Sequence, residues 1–487
     1  MNPKSDSDIE SSVASSEHNR ESGPARTSAA HHAFRGAEPV ESGITRRALL
    51  LGSGKVAVAA TVSSMFSPFN IYLKAATVKS LSFWQFYAPA RQVGAQSKWF
   101  EDCVNGWNAT HEVKVELQFV PVQDYIAGSK LQTAFASGQG PDIFIISPGD
   151  FLRYYNGGVL ADLTPYMEDA AKKDFFPSVM ETRIVDEKIY GVPIDVVPLG
   201  MFYSRKAFEE AGLSESDVPK TWDRFLEIAH KLTKGNRFGC LFQTAPGYYQ
   251  TFTWYPFMWQ GGGEIATPDG KRSAFASPAT VQALKFWQDA IQQNVAPRNI
   301  LGNDGGDVLA NLVSGFCAMQ NLGSWGVSAM REFAADFPYG VFPLPLPPNG
   351  QQRNVFGGWA FVANAKGRNP EEAAKFCVWA VGSMQDDSIQ RVVDWCTKAN
   401  SHVSPRKSAS EKGTAEGGYT SAPMRLFKDV IFSTGRSEPR VPVEVYKAVS
   451  DTIQACQLRG ADPRQAAEEG SQRIESFLSG YTGAPLR

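Results

Sequence analysis

Two extended apolar segments interrupted by proline constrain the fold most strongly. They cover residues 189–203 and 339–345. Proline cannot donate to a sheet ladder, so such segments suit edges and connections better than the centre of a sheet. We interpret both segments as crossings between two domains. Because the chain crosses twice, at least one domain must be discontinuous in sequence.

Around these crossings, short apolar strands alternate with helical periods. The alternating run 113–120 predicts a strand, and the uninterrupted apolar run 143–146 predicts a strand buried on both faces. Thr221 is a candidate N-cap for a helix that follows it. Further strands are predicted over 81–84 and 359–362, and helices over 99–107, 125–135, 278–294 and 370–381. This alternation predicts an α/β fold.

The first 76 residues have the composition of an export address. Residues 1–43 are rich in Ser, Glu, His and Arg, and we expect them to be a disordered extension. Arg46 and Arg47 precede a weakly apolar stretch that is too short to span a membrane. This arrangement over residues 44–76 resembles a twin-arginine export signal. We therefore expect cleavage near residue 76 and a soluble periplasmic product.

Charge and cysteine content exclude several classes of protein. The 48 basic and 50 acidic residues leave no overall basic excess for binding nucleic acid. Six cysteines in 487 residues are too few for a disulfide scaffold, and none has zinc-site spacing. Cys377 with Cys396, or Cys240 with Cys317, could form a disulfide in an oxidising compartment. Buried free thiols are the other reading of the same residues.

The mature chain carries no motif for nucleophilic, phosphate-binding or metalloprotease chemistry. Asp150, Asp195 and Glu264 could in principle form the carboxylate pair of a glycosidase. A chain of this length offers such pairs by chance. We therefore expect a protein that is not an enzyme and needs no metal or cofactor.

Aromatic residues, in contrast, stand at predicted strand ends and in loops. Ring faces stack on the CH faces of sugar rings, and neighbouring amides and carboxylates fix hydroxyl groups. This placement predicts a concave small-molecule site. The rings concerned are Trp84, Phe86, Tyr87, Tyr203, Tyr248, Tyr249, Trp254, Trp259, Trp325 and Trp359.

The order and spacing of several short segments resemble the family 1 extracellular solute-binding proteins of ABC importers, the group that contains maltodextrin-binding and other sugar-binding proteins. The similarity runs over essentially the whole mature chain. The segments that carry it are Lys130-Leu131 through Gly140-Pro141-Asp142, Gly157-Gly158 through Thr164-Pro165, Tyr190-Gly191-Val192-Pro193, Phe202-Tyr203, Val218 through Asp223, Gly315 through Trp325, and Phe356-Gly357-Gly358-Trp359.

The resemblance implies a two-lobed periplasmic-binding-protein fold, in which hinge strands join two α/β lobes around a ligand cleft. Lobe 1 would comprise residues 77–195 and 345–400, and lobe 2 residues 196–344 and 401–487. It also implies a membrane permease as partner, and we expect the receptor to be a monomer.

The resemblance and the aromatic placement together predict the ligand-binding residues. The glycine pair among them would allow close backbone approach. Gln85 departs from the histidine or acid that sugar binders of the family often carry there, so no particular sugar is predicted. The predicted residues are Trp84, Gln85, Phe86, Ser147, Asp150, Tyr203, Trp254, Trp325, Gly357, Gly358, Trp359, Arg406 and Tyr446.

We therefore expect an extracytoplasmic receptor that binds a sugar, oligosaccharide or polyol by hinge closure and delivers it to an ABC permease. Glycerol 3-phosphate or a phosphodiester would need cationic cleft residues, for which Arg91, Arg153 and Arg406 are candidates. A secreted glycosidase and a sensory receptor docking on a membrane kinase remain alternatives. A polyamine would need carboxylates, for which the candidates are Asp142, Asp150, Asp195 and Glu264.

Overall fold

A computed structural model describes residues 80–87, 94–126, 129–302 and 306–486. The extension, the export signal and the cleavage site predicted for residues 1–76 lie outside the described residues, as does Arg91. Among the helices of the described ranges, none has the length and apolar character needed to cross a membrane.

Twelve strands lie in the described ranges. They are β1 Ser80–Gln85, β2 Lys114–Phe119, β3 Ile143–Ile146, β4 Ile184–Val185, β5 Lys188–Ile189, β6 Val192–Pro193, β7 Leu199–Ser204, β8 Met319–Gly323, β9 Tyr339–Phe342, β10 Asn354–Phe356, β11 Ala360–Ala363 and β12 Gly435–Ser437.

Seventeen α-helices accompany them in the same ranges. They are α1 Ala95–Thr110, α2 Val122–Ile126, α3 Ser129–Ala136, α4 Phe151–Asn156, α5 Asp169–Asp174, α6 Pro177–Met180, α7 Arg205–Glu210, α8 Trp222–Leu232, α9 Tyr248–Gln260, α10 Pro278–Gln292, α11 Trp325–Phe333, α12 Pro370–Val381, α13 Asp386–Asp394, α14 Lys407–Ala415, α15 Ala422–Arg425, α16 Val443–Gln457 and α17 Pro463–Leu478.

The first sheet has five strands in the order β2-β1-β3-β11-β6. β1 runs parallel to β2 and β3, and β11 runs antiparallel to β3 and β6. All four residues of β3 are buried, as its uninterrupted apolar run predicts. The core around this sheet includes Phe83, Phe144 and Phe361, and it draws on residues from both ends of the described chain.

The second sheet is antiparallel, with the order β8-β7-β9. A separate core surrounds it and includes Met201, Trp254 and Trp287, together with helices α8, α9, α10 and α16. A third cluster, which includes Val196, Phe202 and Phe427, packs beside the second sheet. Each of the two sheets therefore has its own hydrophobic core, as expected for an α/β chain whose strands form two separate sheets.

The chain passes between the two sheets at two places. The first lies between β6, which pairs in the first sheet, and β7, which pairs in the second. The predicted crossing at 339–345 begins too early in the chain, because β9, which lies within it, still pairs in the second sheet. The return occurs between β10 and β11, where Val197 forms a bridge with Gly357 and Val196 forms one with Val403.

Capping residues mark the start of two helices close to where the sequence predicts them. α12 has the predicted bounds, because Asn369 caps its first turn by accepting from the N–H of Glu372 at 3.2 Å. Thr221 caps α8 in the same way, accepting from the N–H of Arg224. The single helix predicted through residues 125–135 is instead two helices, α2 and α3.

The six cysteines are all free and buried. Burial raises the pKa of Cys103 to about 12, so its thiol stays protonated at neutral pH. The reading of these residues as buried free thiols therefore holds. Neither disulfide considered from the sequence is present.

Candidate functional site

A cavity of about 600 Å³ opens among loops that follow strands of both sheets. Phe86, Ser147 and Trp359 reach it from the first sheet, while Tyr249 and Trp325 reach it from elements packed in the second core. The volume lies within the range of roughly 300–1,000 Å³ that is usual for small-molecule sites. Both halves of the fold therefore contribute to one concave site.

Eight aromatic rings of the described residues line the cavity. On one side Phe86 lies 4.5 Å from Tyr87 and 4.7 Å from Trp359, measured between ring centroids. On the other side Tyr249 lies 6.0 Å from Trp325. The remaining rings that line the cavity are those of Tyr248, Phe252 and Tyr446. Rings on both sides of a cavity of this size can hold the apolar faces of a flat ligand.

The floor of the cavity is built from backbone at the crossing between the sheets. Gly358 has a φ of +118°, and a Cβ atom there would lie 2.6 Å from the carbonyl and carboxylate oxygens of Asp195. A Cβ atom on Gly357 would lie 2.5 Å from the ring of Phe252. The absence of side chains on Gly357 and Gly358 therefore allows Asp195 and the ring of Phe252 to approach the backbone closely.

Asp195 joins three segments beneath this floor. Its Oδ1 accepts from the N–H of Trp359 at 2.8 Å, and its Oδ2 accepts from Nε1 of Trp395 at 2.7 Å. Nδ1 of His402 lies 2.8 Å from the same Oδ2. Asp195 is fully buried and is not among the residues that line the cavity. Its carboxylate is therefore engaged in holding the floor together.

Two polar residues that sequence reasoning missed, Asn400 and His402, also line the cavity. They follow the short π-helix Trp395–Ala399 and are both buried. No motif or periodicity marks them in the sequence. Their position depends on partners such as Asp195, which is 207 residues from His402 along the chain.

Ionisable side chains meet beside the cavity wall. Arg153 donates to the hydroxyl of Tyr446 and lies 3.3 Å from Asp150, and Tyr248 donates to Glu438 at 2.5 Å. Burial raises the pKa of Asp150 and raises that of Glu438 to about 8. Asp150 itself lines a much smaller cavity of about 10 Å³, which has room for about one water molecule.

The pKa of Glu438 predicts a pH dependence of stability. Between its ordinary value of 4.5 and about 8, the folded protein retains a proton that the unfolded chain has released. The free energy of unfolding should therefore fall with rising pH over this range, by up to about 1.4 kcal/mol per pH unit from this group. Glu438→Gln has no carboxyl group to titrate and therefore lacks this fall. The free energy of unfolding of the variant minus that of the wild type should rise as the pH increases from 5 to 8.

Urea unfolding at pH 5, 6, 7 and 8 measures this difference, with Glu112→Gln at an exposed position as the matched control. Glu112→Gln should follow the wild type at every pH. Parallel curves for Glu438→Gln and the wild type would contradict a raised pKa at Glu438.

Seven of the thirteen predicted site residues line the large cavity, and Asp150 lies beside it. The other five do not reach it. Trp84 is half-buried beneath the ammonium group of Lys130, with Nζ 5.8 Å from the ring centroid. Gln85 is buried, and its Oε1 accepts from the N–H of Tyr87 at 2.5 Å. The seven lining residues are Phe86, Ser147, Trp325, Gly357, Gly358, Trp359 and Tyr446.

Tyr203, Trp254 and Arg406 belong to the protein interior, which corrects their prediction as ligand contacts. Tyr203 lies in β7, is 3% exposed and donates its hydroxyl to Glu215 at 3.1 Å. Trp254 is fully buried in the second core. Arg406 is fully buried and donates from Nε to Asp174 at 2.7 Å.

Comparison with known proteins places this geometry in context. A sequence profile described as "Bacterial extracellular solute-binding protein" matches residues 78–386. The chain is 23% identical over 400 residues to the galactooligosaccharide-binding protein of Bacillus subtilis, covering 79% of this chain and 87% of that protein.

Two solved structures resemble the fold. One is the cyclic α-maltosyl-1,6-maltose binding protein of Arthrobacter globiformis, with a TM-score of 0.67 at 23% identity, covering 82% of this chain and 99% of that chain. The other is an ABC transporter solute-binding protein of Thermotoga lettingae bound with α-D-tagatose, with a TM-score of 0.69 at 22% identity, covering 82% of this chain and 100% of that chain.

Proposed function

The chain belongs to the family of bacterial extracellular solute-binding proteins, and from this premise we propose that it is an exported receptor that binds a neutral saccharide in the large cavity and delivers it to an ABC permease. Its fold is the two-lobed α/β fold predicted from the sequence. The observation that carries the proposal is the cavity wall, which combines aromatic rings with uncharged polar groups.

The charges of the wall favour a neutral ligand. Among the described residues that line the cavity, Asp307 is the one carboxylate and none is lysine or arginine. Oδ1 of Asp307 accepts from the N–H of Ala310 at 2.9 Å, so one of its two oxygens already has a partner. A buried ligand charge needs an opposite charge to offset its desolvation, and a phosphate would find no lysine or arginine on the described part of the wall.

Other charged candidates also have partners within the protein. Asp142 is buried and pairs with Arg368 at 2.6 Å, and Glu264 pairs with Arg436 at 2.6 Å. Neither lines the cavity. A polyamine would therefore meet Asp307 alone among the described lining residues, which supports a saccharide or polyol over a polyamine.

Uncharged polar groups complete a sugar-binding wall. Ser147, Gln96, Gln243 and Asn400 lie among the rings, and hydroxyl groups can both donate to and accept from such side chains. Because rings from both cores face the ligand, binding would stabilise the arrangement in which the two lobes close. We propose that lobe 1 comprises residues 80–195 with 357–400 and that lobe 2 comprises residues 196–356 with 401–486. The pairing of β9 in the second sheet and of β11 in the first supports a return after residue 356 rather than at residue 345.

A thermal-shift screen tests the proposed function directly. The panel contains maltose, cellobiose, mannobiose, lactose, glycerol, glycerol 3-phosphate and spermidine. A sugar present at 100 times its Kd stabilises the folded protein by about 2.7 kcal/mol, so its midpoint should rise measurably. A shift with glycerol 3-phosphate or spermidine alone would reject the saccharide. Release of new reducing ends from the oligosaccharides would identify a glycosidase instead.

Trp325 and Trp84 provide a matched pair of variants. Trp325 lines the cavity, so Trp325→Ala should weaken the affinity for the best sugar of the panel by about 1–3 kcal/mol through loss of a stacking surface. Trp84 packs against the first core outside the cavity, so Trp84→Ala should leave this affinity unchanged and lower the unfolding midpoint. Isothermal titration calorimetry and thermal unfolding separate the two effects, and equal affinity losses would contradict the assignment.

A further inference from the structure

The floor of the cavity carries two buried polar side chains with atoms that have no partner among the described residues. His402 is 3% exposed and Asn400 is 1% exposed, and both line the cavity. The atoms concerned are Nε2 of His402 and Nδ2 of Asn400. A buried polar atom without a hydrogen bond destabilises a protein, so such atoms at a binding site point to a group that arrives with the ligand.

Asp195 determines whether Nε2 of His402 is a hydrogen-bond donor or an acceptor. Its carboxylate already accepts from the N–H of Trp359 and from Nε1 of Trp395. An ionised carboxylate only accepts hydrogen bonds, so the 2.8 Å contact with His402 requires a proton on Nδ1. In the neutral imidazole a proton on Nδ1 leaves Nε2 as an acceptor. His402 therefore presents an acceptor that its position against Asp195 fixes in place.

Asn400 supplies a hydrogen-bond donor, whereas His402 supplies an acceptor. Its Oδ1 accepts from Nε2 of Gln96 at 2.7 Å, which orients the side-chain amide and leaves the Nδ2 protons for another acceptor. The two residues stand two positions apart in the segment that precedes the bridge between Val403 and Val196. An acceptor and a donor thus lie close together in sequence on the cavity floor, next to the crossing between the sheets.

We propose that His402 and Asn400 determine specificity by reading hydroxyl groups of the bound saccharide, which rests on the proposed function of the same cavity. Nε2 of His402 accepts from a hydroxyl, and Nδ2 of Asn400 donates to the same hydroxyl or to a neighbouring one. Asp195 acts as a positioning residue, because it holds the imidazole in the accepting tautomer. A sugar that lacks a hydroxyl at this place leaves both buried atoms unpaired and is rejected.

The first test compares His402→Asn with the wild type by calorimetry, using maltose, cellobiose, mannobiose and lactose. Asparagine keeps a donor at the position of Nδ1 and therefore keeps the contact with Asp195, but it has no group at the position of Nε2. We expect the affinity for the sugar that binds the wild type best to fall about tenfold or more. His230→Asn, at an exposed position on α8, is the matched control and should bind like the wild type.

Asn400→Asp tests the donor separately, because it keeps the shape and the acceptor for Gln96 but removes the Nδ2 protons. Its affinity should also fall about tenfold. If both variants bind the best sugar as tightly as the wild type, the inference is wrong while the proposed function stands. If the wild type binds none of the four sugars, the proposed function fails and the inference fails with it.

A nitrogen-15 spectrum of histidine-labelled protein gives a readout that does not depend on which sugar binds. Without sugar, the ring of His402 should show a protonated Nδ1 and an unprotonated Nε2, and the Nε2 signal should shift when sugar is added. His402→Asn identifies the signal by its disappearance. A ring protonated at Nε2, whether or not Nδ1 also carries a proton, would overturn the proposed acceptor, whatever the calorimetry shows.

Discussion

Arg406→Ala is expected to lower the free energy of unfolding by about 3–5 kcal/mol and to leave the affinity for sugar unchanged. The guanidinium is fully buried, donates to Asp174 at 2.7 Å and donates to the carbonyl of Val381 at 3.0 Å. Burial by itself raises the pKa of Asp174, but hydrogen bonds from Ser408 and Arg406 hold it below its ordinary value. Removing Arg406 leaves this buried carboxylate charged and without its cation.

Two control variants separate the ion pair from general effects of mutation. Arg406→Lys keeps the charge but loses the second hydrogen bond, so it should destabilise less than alanine does. Lys98 pairs with Asp102 on the surface, where the two side chains are 66% and 61% exposed, so Lys98→Ala should change stability by less than about 1 kcal/mol. An affinity loss for Arg406→Ala in protein that is still fully folded would return Arg406 to the ligand site.

The fold was the more predictable part, because its strongest elements are encoded locally. β3 is an uninterrupted apolar run and lies where that run predicts it. α12 begins with a proline after a capping asparagine, and both of its ends were predicted. The crossing at 339–345 was less well placed, because a proline-broken apolar run does not show which of two sheets its first residues join. In the structure β9 completes the second sheet, and the chain crosses later.

The site was only partly predictable, because an aromatic residue in a loop and one in a core look alike in sequence. Tyr203 lies in a strand whose six residues are all buried, so alternation carries no information about which face meets a cavity. Trp254 lies in α9, where every residue from Gln250 to Gln260 is buried. Such a helix has no polar face from which the direction of a ring could be read.

The floor of the site could not be predicted, because it consists of long-range pairs. Asp195 meets Trp359 across 164 residues, Trp395 across 200 and His402 across 207. No local pattern records such contacts. The sequence alone therefore presents Asp195 as one of several carboxylates available to a hydrolase or a polyamine site. In the structure its carboxylate accepts from three donors beneath the cavity.

Asp195→Ala should consequently be among the most damaging substitutions, with an expected loss of about 3–5 kcal/mol of unfolding free energy. It leaves the N–H of Trp359, Nε1 of Trp395 and Nδ1 of His402 buried without their common acceptor, and each unsatisfied donor is worth about 1–3 kcal/mol. Urea unfolding measures the loss, and Asp162→Ala, at a partly exposed carboxylate that does not line the cavity, should cost much less. Because the freed imidazole can adopt the other tautomer, sugar affinity should fall in the fraction that stays folded. A variant as stable as the wild type would show that the three donors find other partners, and that Asp195 does not hold the floor of the site.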